Sequence, residues 1–170
     1  MPESNFNDET GGGETRRPRQ SLSLKARAVR YLARREYSRV ELRQRLRAYL
    51  SEAKTEDDLD SLLDEFEKKG YLSDDRYARS RVRTRSARYG NARIAYELKT
   101  SGVSSEVIEH ALNEVAESEA DRARRLWLKR FGQPPQDFKE RSRQMRYLLA
   151  RGFSMEVARK VIHADDFDEF

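Results

Sequence analysis

The chain has 170 residues, of which 36% are hydrophobic and 38% charged, and its net charge at pH 7 is +5. So polar a composition excludes one large core and favours amphipathic helices that each bury a single stripe. The absence of cysteine excludes disulfides, thiol nucleophiles and thiolate metal sites. No apolar run approaches the roughly 18 residues that span a bilayer, and no signal-peptide stretch is present. We therefore expect a cytoplasmic protein without membrane contact.

The N-terminal segment, residues 1–20, contains Gly11-Gly12-Gly13 and mostly polar side chains. Such a segment cannot form a packed face, so it is predicted to be a disordered, flexible tail.

From residue 16 onward, basic and acidic blocks alternate along the chain. Each basic block precedes an acidic one, in the order 16–50 and 51–75, 76–99 and 100–121, then 122–151 and 152–170. Three repeats of one charge pattern predict a tandem array of similar modules.

The first module, residues 21–72, shows its helix boundaries most clearly around its second and third helices. Ser38 and Glu41 have the spacing of a capping box, and Leu42, Leu46, Tyr49 and Leu50 follow on one predicted apolar face. A third helix is predicted to begin at Thr55, with acidic residues in its first turn, and to end at Gly70.

The second and third modules share a tripeptide junction between two helical patterns. It is Gly102-Val103-Ser104 in one module and Gly152-Phe153-Ser154 in the other. Glycine can adopt the left-handed conformation that ends a helix, and serine can cap the next helix. The apolar residue between them can pack on that helix as a hydrophobic staple, Val103 on Ile108 and Phe153 on Ala158.

These patterns predict an all-α protein of three tandem three-helix modules in an elongated, curved array. The boundaries are 1–20 for the tail, 21–72, 73–117 and 118–164 for the modules, and 165–170 for an acidic tail. Units this small bury too little surface to be stable alone, so neighbouring modules are expected to pack together.

Residues that could support catalysis or metal binding are scarce. The two histidines, His110 and His163, occupy non-equivalent positions in two third helices, where partly exposed positions on the helix surface are expected. The acidic residues of 165–170 lack the loop spacing of a cation site. No glycine-rich phosphate loop or Ser/His/Asp set is present. We therefore predict a protein that is not an enzyme, with no catalytic residues, no metal and no cofactor.

Basic side chains recur on the first helix of each module at i, i+3, i+7 and continue onto neighbouring helices. Arginine suits bidentate phosphate or carboxylate contacts, so a long polyanion or an acidic protein surface is the expected partner. Tyr77 and Trp127 could stack on bases, although their positions near apolar stripes favour core packing. The predicted binding residues are Arg27, Arg30, Arg34, Arg43, Arg47, Arg76, Arg79, Arg81, Arg83, Arg85, Arg88, Arg93, Arg122, Arg125 and Lys129.

Four segments together resemble the RecX family of bacterial regulatory proteins. They are Arg35-Glu36-Tyr37-Ser38-Arg39-Val40-Glu41-Leu42, Gly70-Tyr71-Leu72-Ser73-Asp74-Asp75-Arg76-Tyr77-Ala78, Arg88-Tyr89-Gly90-Asn91-Ala92-Arg93-Ile94 and Leu149-Ala150-Arg151-Gly152-Phe153-Ser154. Their order and spacing agree with the family over nearly the whole folded part. The chain departs at Asn91, where the family has proline, and at Ser73, where asparagine or aspartate is usual.

The resemblance implies a cytoplasmic modulator of RecA, the protein that forms the DNA strand-exchange filament. We expect this chain to be a monomer. RecX-like proteins lie along the groove of the RecA–DNA filament and usually inhibit its activities. The resemblance also implies that the chain lies near DNA, single- or double-stranded, and binds it weakly and without sequence preference.

The alternative is a nucleic-acid-binding protein, either one without sequence preference or a DNA-binding protein that uses one module as a helix-turn-helix. The acidic third helices would be repelled by phosphate, which counts against that alternative.

Overall fold

In a computed structural model, residues 22–51 and 54–163 can be described; the predicted N-terminal tail and the acidic tail lie outside them. Within these ranges the chain forms nine α-helices and no β-strand, which confirms the all-α fold. The helices are α1 (Leu24–Leu32), α2 (Arg39–Arg47), α3 (Glu56–Lys68), α4 (Asp74–Arg85), α5 (Asn91–Thr100), α6 (Ser105–Asn113), α7 (Glu119–Arg130), α8 (Phe138–Leu149) and α9 (Met155–His163).

Three separate hydrophobic cores hold the helices together in threes. The first core surrounds Leu42, Leu59 and Phe66, the second Tyr77 and Ile94, and each lies within one group of three helices. The third core contains, among others, Trp127, Leu148, Phe153 and Ile162. Extensive helix packing occurs only inside the groups α1–α3, α4–α6 and α7–α9. The predicted organisation in tandem three-helix modules is therefore confirmed.

The Gly–apolar–Ser junctions end and restart helices as the sequence predicts. Gly102 has φ +81° and Gly152 has φ +83°, the left-handed region that favours glycine. Ser104 Oγ accepts a hydrogen bond from the Val107 N–H at 3.4 Å, and Ser154 Oγ accepts from Val157 at 3.1 Å. The apolar residues between each Gly and Ser are buried in the second and third cores.

Two details of the first module differ from the sequence prediction. Ser38 Oγ does cap the Glu41 N–H at 3.1 Å, but the Glu41 carboxylate accepts from the Tyr77 hydroxyl at 2.8 Å instead of closing a capping box. The prediction that Tyr49 lies on the apolar face of α2 is wrong: the helix ends at Arg47, and the following turn leaves the tyrosine 41% exposed.

The modules join through short contacts that repeat from one joint to the next. The Arg39 N–H, at the first residue of α2, donates to Asp74 Oδ1 at 2.8 Å. The Asn91 N–H, at the first residue of α5, donates to Glu119 Oε1 at 2.7 Å. Asp74 and Glu119 are themselves the first residues of α4 and α7. Each second helix therefore starts against the start of the next module.

A second pair of hydrogen bonds repeats in the same way. Ser38 Oγ, at the cap of α2, donates to the Ser101 carbonyl at 2.6 Å. The Gly90 N–H, at the cap of α5, donates to the Arg151 carbonyl at 2.9 Å. Ser101 and Arg151 each precede the left-handed glycine of a junction. The junction of one module is thereby docked on the module before it.

Glycine is required at these joints for space as well as for conformation. A Cβ on Gly102 would lie 2.2 Å from Val40 Cγ2, and one on Gly152 would lie 2.4 Å from Arg93 Cβ and 2.7 Å from its backbone nitrogen. A Cβ on Gly90 would lie 2.3 Å from the Gly152 carbonyl oxygen. Any side chain at these positions would push two modules apart.

Glu65 links α1 to the end of α3 and gives a prediction about pH. Hydrogen bonds from Lys69 at 2.6 Å and Lys25 at 2.9 Å lower the pKa of the Glu65 carboxyl from 4.5 to about 2. A carboxyl group whose pKa is lower in the folded than in the unfolded state stabilises the folded protein at pH values above its unfolded pKa. This contribution is lost as the pH falls from 4.5 toward 2. Glu65→Gln is expected to lower the urea midpoint at pH 7, with a smaller difference from wild type near pH 3. An equal difference between variant and wild type at both pH values would contradict a lowered pKa for Glu65.

Candidate partner-binding surface

Two of the arginines predicted to bind a partner, Arg43 and Arg47, form ion pairs inside the first module. Arg43 holds Asp60 with two hydrogen bonds of 2.7 and 3.0 Å, and also lies 2.9 Å from Glu56. Arg47 pairs with the other oxygen of Glu56 at 2.6 Å. The Arg43 guanidinium lowers the pKa of the Asp60 carboxyl through its hydrogen bond. These pairs tie α2 to α3 and neutralise much of the acidic face of α3.

The second module contains a similar internal network. Arg85 donates to both oxygens of Glu97, at 2.9 and 2.5 Å, and Arg93 lies 3.4 Å from the same carboxylate. The hydrogen bonds from Arg85 lower the pKa of the Glu97 carboxyl. Both guanidiniums also contact the Tyr89 ring: Arg85 lies 4.2 Å and Arg93 4.3 Å from its centroid. Their charge is therefore partly compensated within the protein.

Two further arginines on α4 are paired with acidic side chains. Arg76 Nε donates to Glu36 of the first module at 2.9 Å. Arg79 lies 3.2 Å from Asp75 and 3.1 Å from Glu114. Ion pairs this exposed contribute at most about 1 kcal/mol, but they do lower the local positive potential.

The remaining predicted cations divide by their surroundings. Arg27 and Arg81 lie against tyrosine rings, at 3.9 Å from the Tyr49 centroid and 5.8 Å from that of Tyr77. Arg125 pairs with Glu117 at 3.1 Å. A third group is exposed and makes no side-chain hydrogen bond, ion pair or ring contact with any described residue. These free cations are Arg30, Arg34, Arg83, Arg88 and Lys129.

Arg122 is not part of an exposed basic face, so its predicted position is wrong. Its side chain is only 2% exposed. It donates to the Ser86 carbonyl at 3.1 Å, the Tyr89 carbonyl at 3.2 Å and Asn91 Oδ1 at 2.5 Å. Burial lowers the pKa of the Arg122 guanidinium. The side chain points into the joint because α7 begins there, and Arg122 lies on the face of α7 turned toward α5.

The same joint explains why Asn91 replaces the proline of the family pattern. Its backbone N–H donates to Glu119 and its side-chain oxygen accepts from Arg122. Proline has neither an N–H nor a side-chain acceptor, so it could make neither bond. In this chain the departure from the family pattern supplies two contacts between modules.

Tyr77 and Trp127 belong to the cores, as their positions near apolar stripes indicated. Each is 1% exposed. Trp127 Nε1 donates to Gln144 Oε1 at 2.7 Å, and the Tyr77 hydroxyl donates to Glu41. Burial raises the pKa of Tyr77. Neither ring is available as a base-stacking surface.

Several exposed cations lie outside the set of predicted binding residues. Arg45, Arg146, Arg159 and Lys160 are exposed but fall outside the i, i+3, i+7 pattern of the first helices. A count of all basic residues on the polar faces of the second and third helices would have included them.

The histidines and carboxylates of the described ranges form no group of three that could hold a metal ion. The His110 side chain is 59% exposed, as expected, and lies 3.8 Å from Asp75. His163 is partly buried and contacts Arg141. Among the helices described above, none is long and apolar enough to cross a bilayer.

The chain is similar to known proteins over most of its length. It matches family models for the second three-helix domain of RecX, over residues 73–112, and for the third, over 117–162. It is 48% identical over 149 residues to the regulatory protein RecX of Ralstonia pickettii (strain 12J) and 44% identical to that of Ralstonia nicotianae. Both alignments cover 88% of this chain and 92% of the relative.

Solved structures share the fold at lower sequence identity. A crystal structure of RecX from Lactobacillus salivarius is 21% identical with a TM-score of 0.72, over 84% of this chain and 94% of that one. A second crystal structure of a regulatory protein RecX is 23% identical with a TM-score of 0.68, over 81% and 69%. The family models, the identity to both Ralstonia proteins and the tandem helical modules agree, and the chain belongs to the RecX family of regulatory proteins.

Proposed function

We propose that this chain regulates RecA by binding along the RecA–DNA filament, and that its main effect is inhibition. It acts as a monomer in the cytoplasm, by binding and without catalysing a reaction. The observation that carries the proposal is that free, exposed cations occur in all three modules, from Arg30 and Arg34 through Arg83 and Arg88 to Lys129. A filament presents acidic protein and phosphate groups at regular intervals, which such an array can contact at several points at once.

Several weak contacts on one chain become strong together, because each contact after the first is effectively intramolecular. The repeated joints support this mechanism, since hydrogen bonds from Arg39 to Asp74 and from Asn91 to Glu119 hold successive modules in similar arrangements. A polyanion that engaged only one module would lose this advantage.

The test measures RecA ATPase activity on single-stranded DNA while the protein is titrated in. Inhibition is expected, and it should weaken steeply with salt because exposed charges are screened within about 10 Å at 0.1 M. Affinity for bare DNA is measured beside affinity for RecA-coated DNA. If bare DNA binds as tightly as the filament, or if ATPase activity is unchanged, the alternative of a nucleic-acid-binding protein replaces the proposal.

The free and the paired arginines of module 2 give a matched comparison. Arg83→Gln/Arg88→Gln removes two free cations and is expected to raise the concentration needed for half-inhibition roughly tenfold. Arg76→Gln/Arg79→Gln removes two cations already paired with carboxylates and is expected to change it less than about threefold. Half-inhibition is measured at one salt concentration, and thermal melting checks that all variants are folded. Equal effects of the two double variants would contradict the division into free and paired cations.

A further inference from the structure

A pocket of about 170 Å³ opens in the first module between α1 and the residues that follow α2. Among the described residues, its lining contains three arginines and two tyrosines but no carboxylate. The lining residues are Leu22, Arg27, Arg30, Tyr31, Arg34 and Tyr49. A small concave site lined by several cations favours an anionic ligand.

The aromatic part of this pocket is already arranged as a stack. The Arg27 guanidinium lies 3.9 Å from the centroid of the Tyr49 ring and is held there by a 3.0 Å bond from its Nε to the Leu22 carbonyl. The hydroxyls of Tyr49 and Tyr31 lie 3.5 Å apart. Because Tyr49 remains 41% exposed, the stacked pair presents a flat, partly exposed surface to solvent. Planar guanidinium and phenol groups are surfaces on which nucleobases stack.

No described residue neutralises the charge of the pocket. Arg30 and Arg34 are exposed and make no side-chain contact with any residue of 22–51 or 54–163. The comparable arginine–tyrosine group of the second module differs in this respect, because Glu97 binds both arginines there. Two unpaired guanidiniums beside a stacked ring can hold a phosphate by charge-assisted hydrogen bonds.

We propose that this pocket binds single-stranded nucleic acid. One phosphodiester contacts Arg30 and Arg34, and an adjacent base stacks on the Arg27–Tyr49 pair. A single strand is favoured over a duplex because its bases are free to leave the helix stack and meet an aromatic surface. The family resemblance already implies weak DNA binding, and the new element is the site: a phosphate and base subsite in the first module that the free chain presents without a filament.

The test uses the full chain, without RecA, and fluorescence anisotropy of a labelled oligothymidine of about 15 nucleotides. A second strand has the same backbone but abasic sites in place of the bases. Arg30→Gln/Arg34→Gln is expected to weaken binding of both strands about tenfold. It should also reduce the magnitude of the slope of log affinity against log salt by about 0.7, the value for one phosphate contact on a single strand. Arg159→Gln/Lys160→Gln, which removes two exposed cations of α9, is the matched control and is expected to change affinity less than about twofold.

The base contact is tested separately with Tyr49→Leu. This variant is expected to weaken binding of the oligothymidine about tenfold and to leave binding of the abasic strand within about twofold of wild type. Equal losses from the Arg30/Arg34 pair and the Arg159/Lys160 pair would overturn the proposal, as would equal losses on both strands for Tyr49→Leu. Thermal melting confirms that each variant is folded.

The outcome is independent of the proposed function. If the wild-type chain inhibits RecA while the pocket variants bind oligothymidine like wild type, the pocket assignment fails alone. If the pocket variants lose oligothymidine binding while the wild type leaves RecA activity unchanged, the regulation of RecA fails alone.

Discussion

Replacement of Gly152 by alanine is expected to lower the free energy of unfolding by about 2–4 kcal/mol. Two costs combine at this position. The backbone has φ +83°, which an L side chain rarely adopts, and the new Cβ would overlap the Arg93 backbone of the preceding module. The overlap can be relieved only by moving the third module away from the second, which also weakens the hydrogen bond between Gly90 and Arg151.

Gly70 provides the matched control for this prediction. Its φ is +73°, close to that of Gly152, but an added Cβ would meet nothing within 4 Å. Gly70→Ala should therefore show the conformational cost alone, about 1 kcal/mol. Urea unfolding of both variants measures the difference. If the two substitutions lower the free energy of unfolding equally, the close approach of Gly152 to Arg93 has no energetic consequence, and the second and third modules are not tightly packed there.

Replacement of Arg122 by alanine is expected to cost about 3 kcal/mol, mostly at the second joint. The substitution removes a buried guanidinium that donates to two backbone carbonyls and to Asn91. Those acceptors would then lie in a poorly solvated joint without their donor. Arg122→Lys should recover less than half of the loss, because an ammonium has no planar fork to reach three acceptors.

Arg125, one turn along the same helix, is the control for Arg122. Its side chain is 53% exposed, and among the described residues it pairs with Glu117. Arg125→Ala is expected to cost less than about 1 kcal/mol. Chemical unfolding of the three variants checks the order Arg122→Ala, Arg122→Lys, Arg125→Ala. A loss at Arg125 as large as that at Arg122 would show that burial in the joint does not distinguish them.

The helices and their ends could be predicted because local rules determine them. The junctions that begin at Gly102 and Gly152 each combine a glycine in the left-handed conformation with a serine that caps the next helix. Both signals lie within three consecutive residues. Thr55 and Asp58 likewise form a full capping box at the start of α3. Patterns of this kind depend on adjacent residues, so no knowledge of the tertiary structure is needed to recognise them.

The surface was harder to predict, because the partner of a charged side chain is often distant in sequence. Arg76 pairs with Glu36, forty positions away. Arg122 lies in the same i, i+3, i+7 pattern as exposed arginines, and only the position of α5 shows that it is buried. A helical repeat indicates which residues share a face, but not which face the next module covers.

The repeated joints have a consequence for selectivity. Short turns and paired hydrogen bonds connect the modules, so the distances between their outward-facing cations are set when the protein folds. A partner whose own subunits recur at matching distances would be bound without further loss of backbone conformational entropy at the joints between modules. A polyanion with another spacing would have to break a joint or leave a module unbound. Discrimination among equally acidic partners would then depend on their periodicity, with the glycines of the joints determining the preferred value.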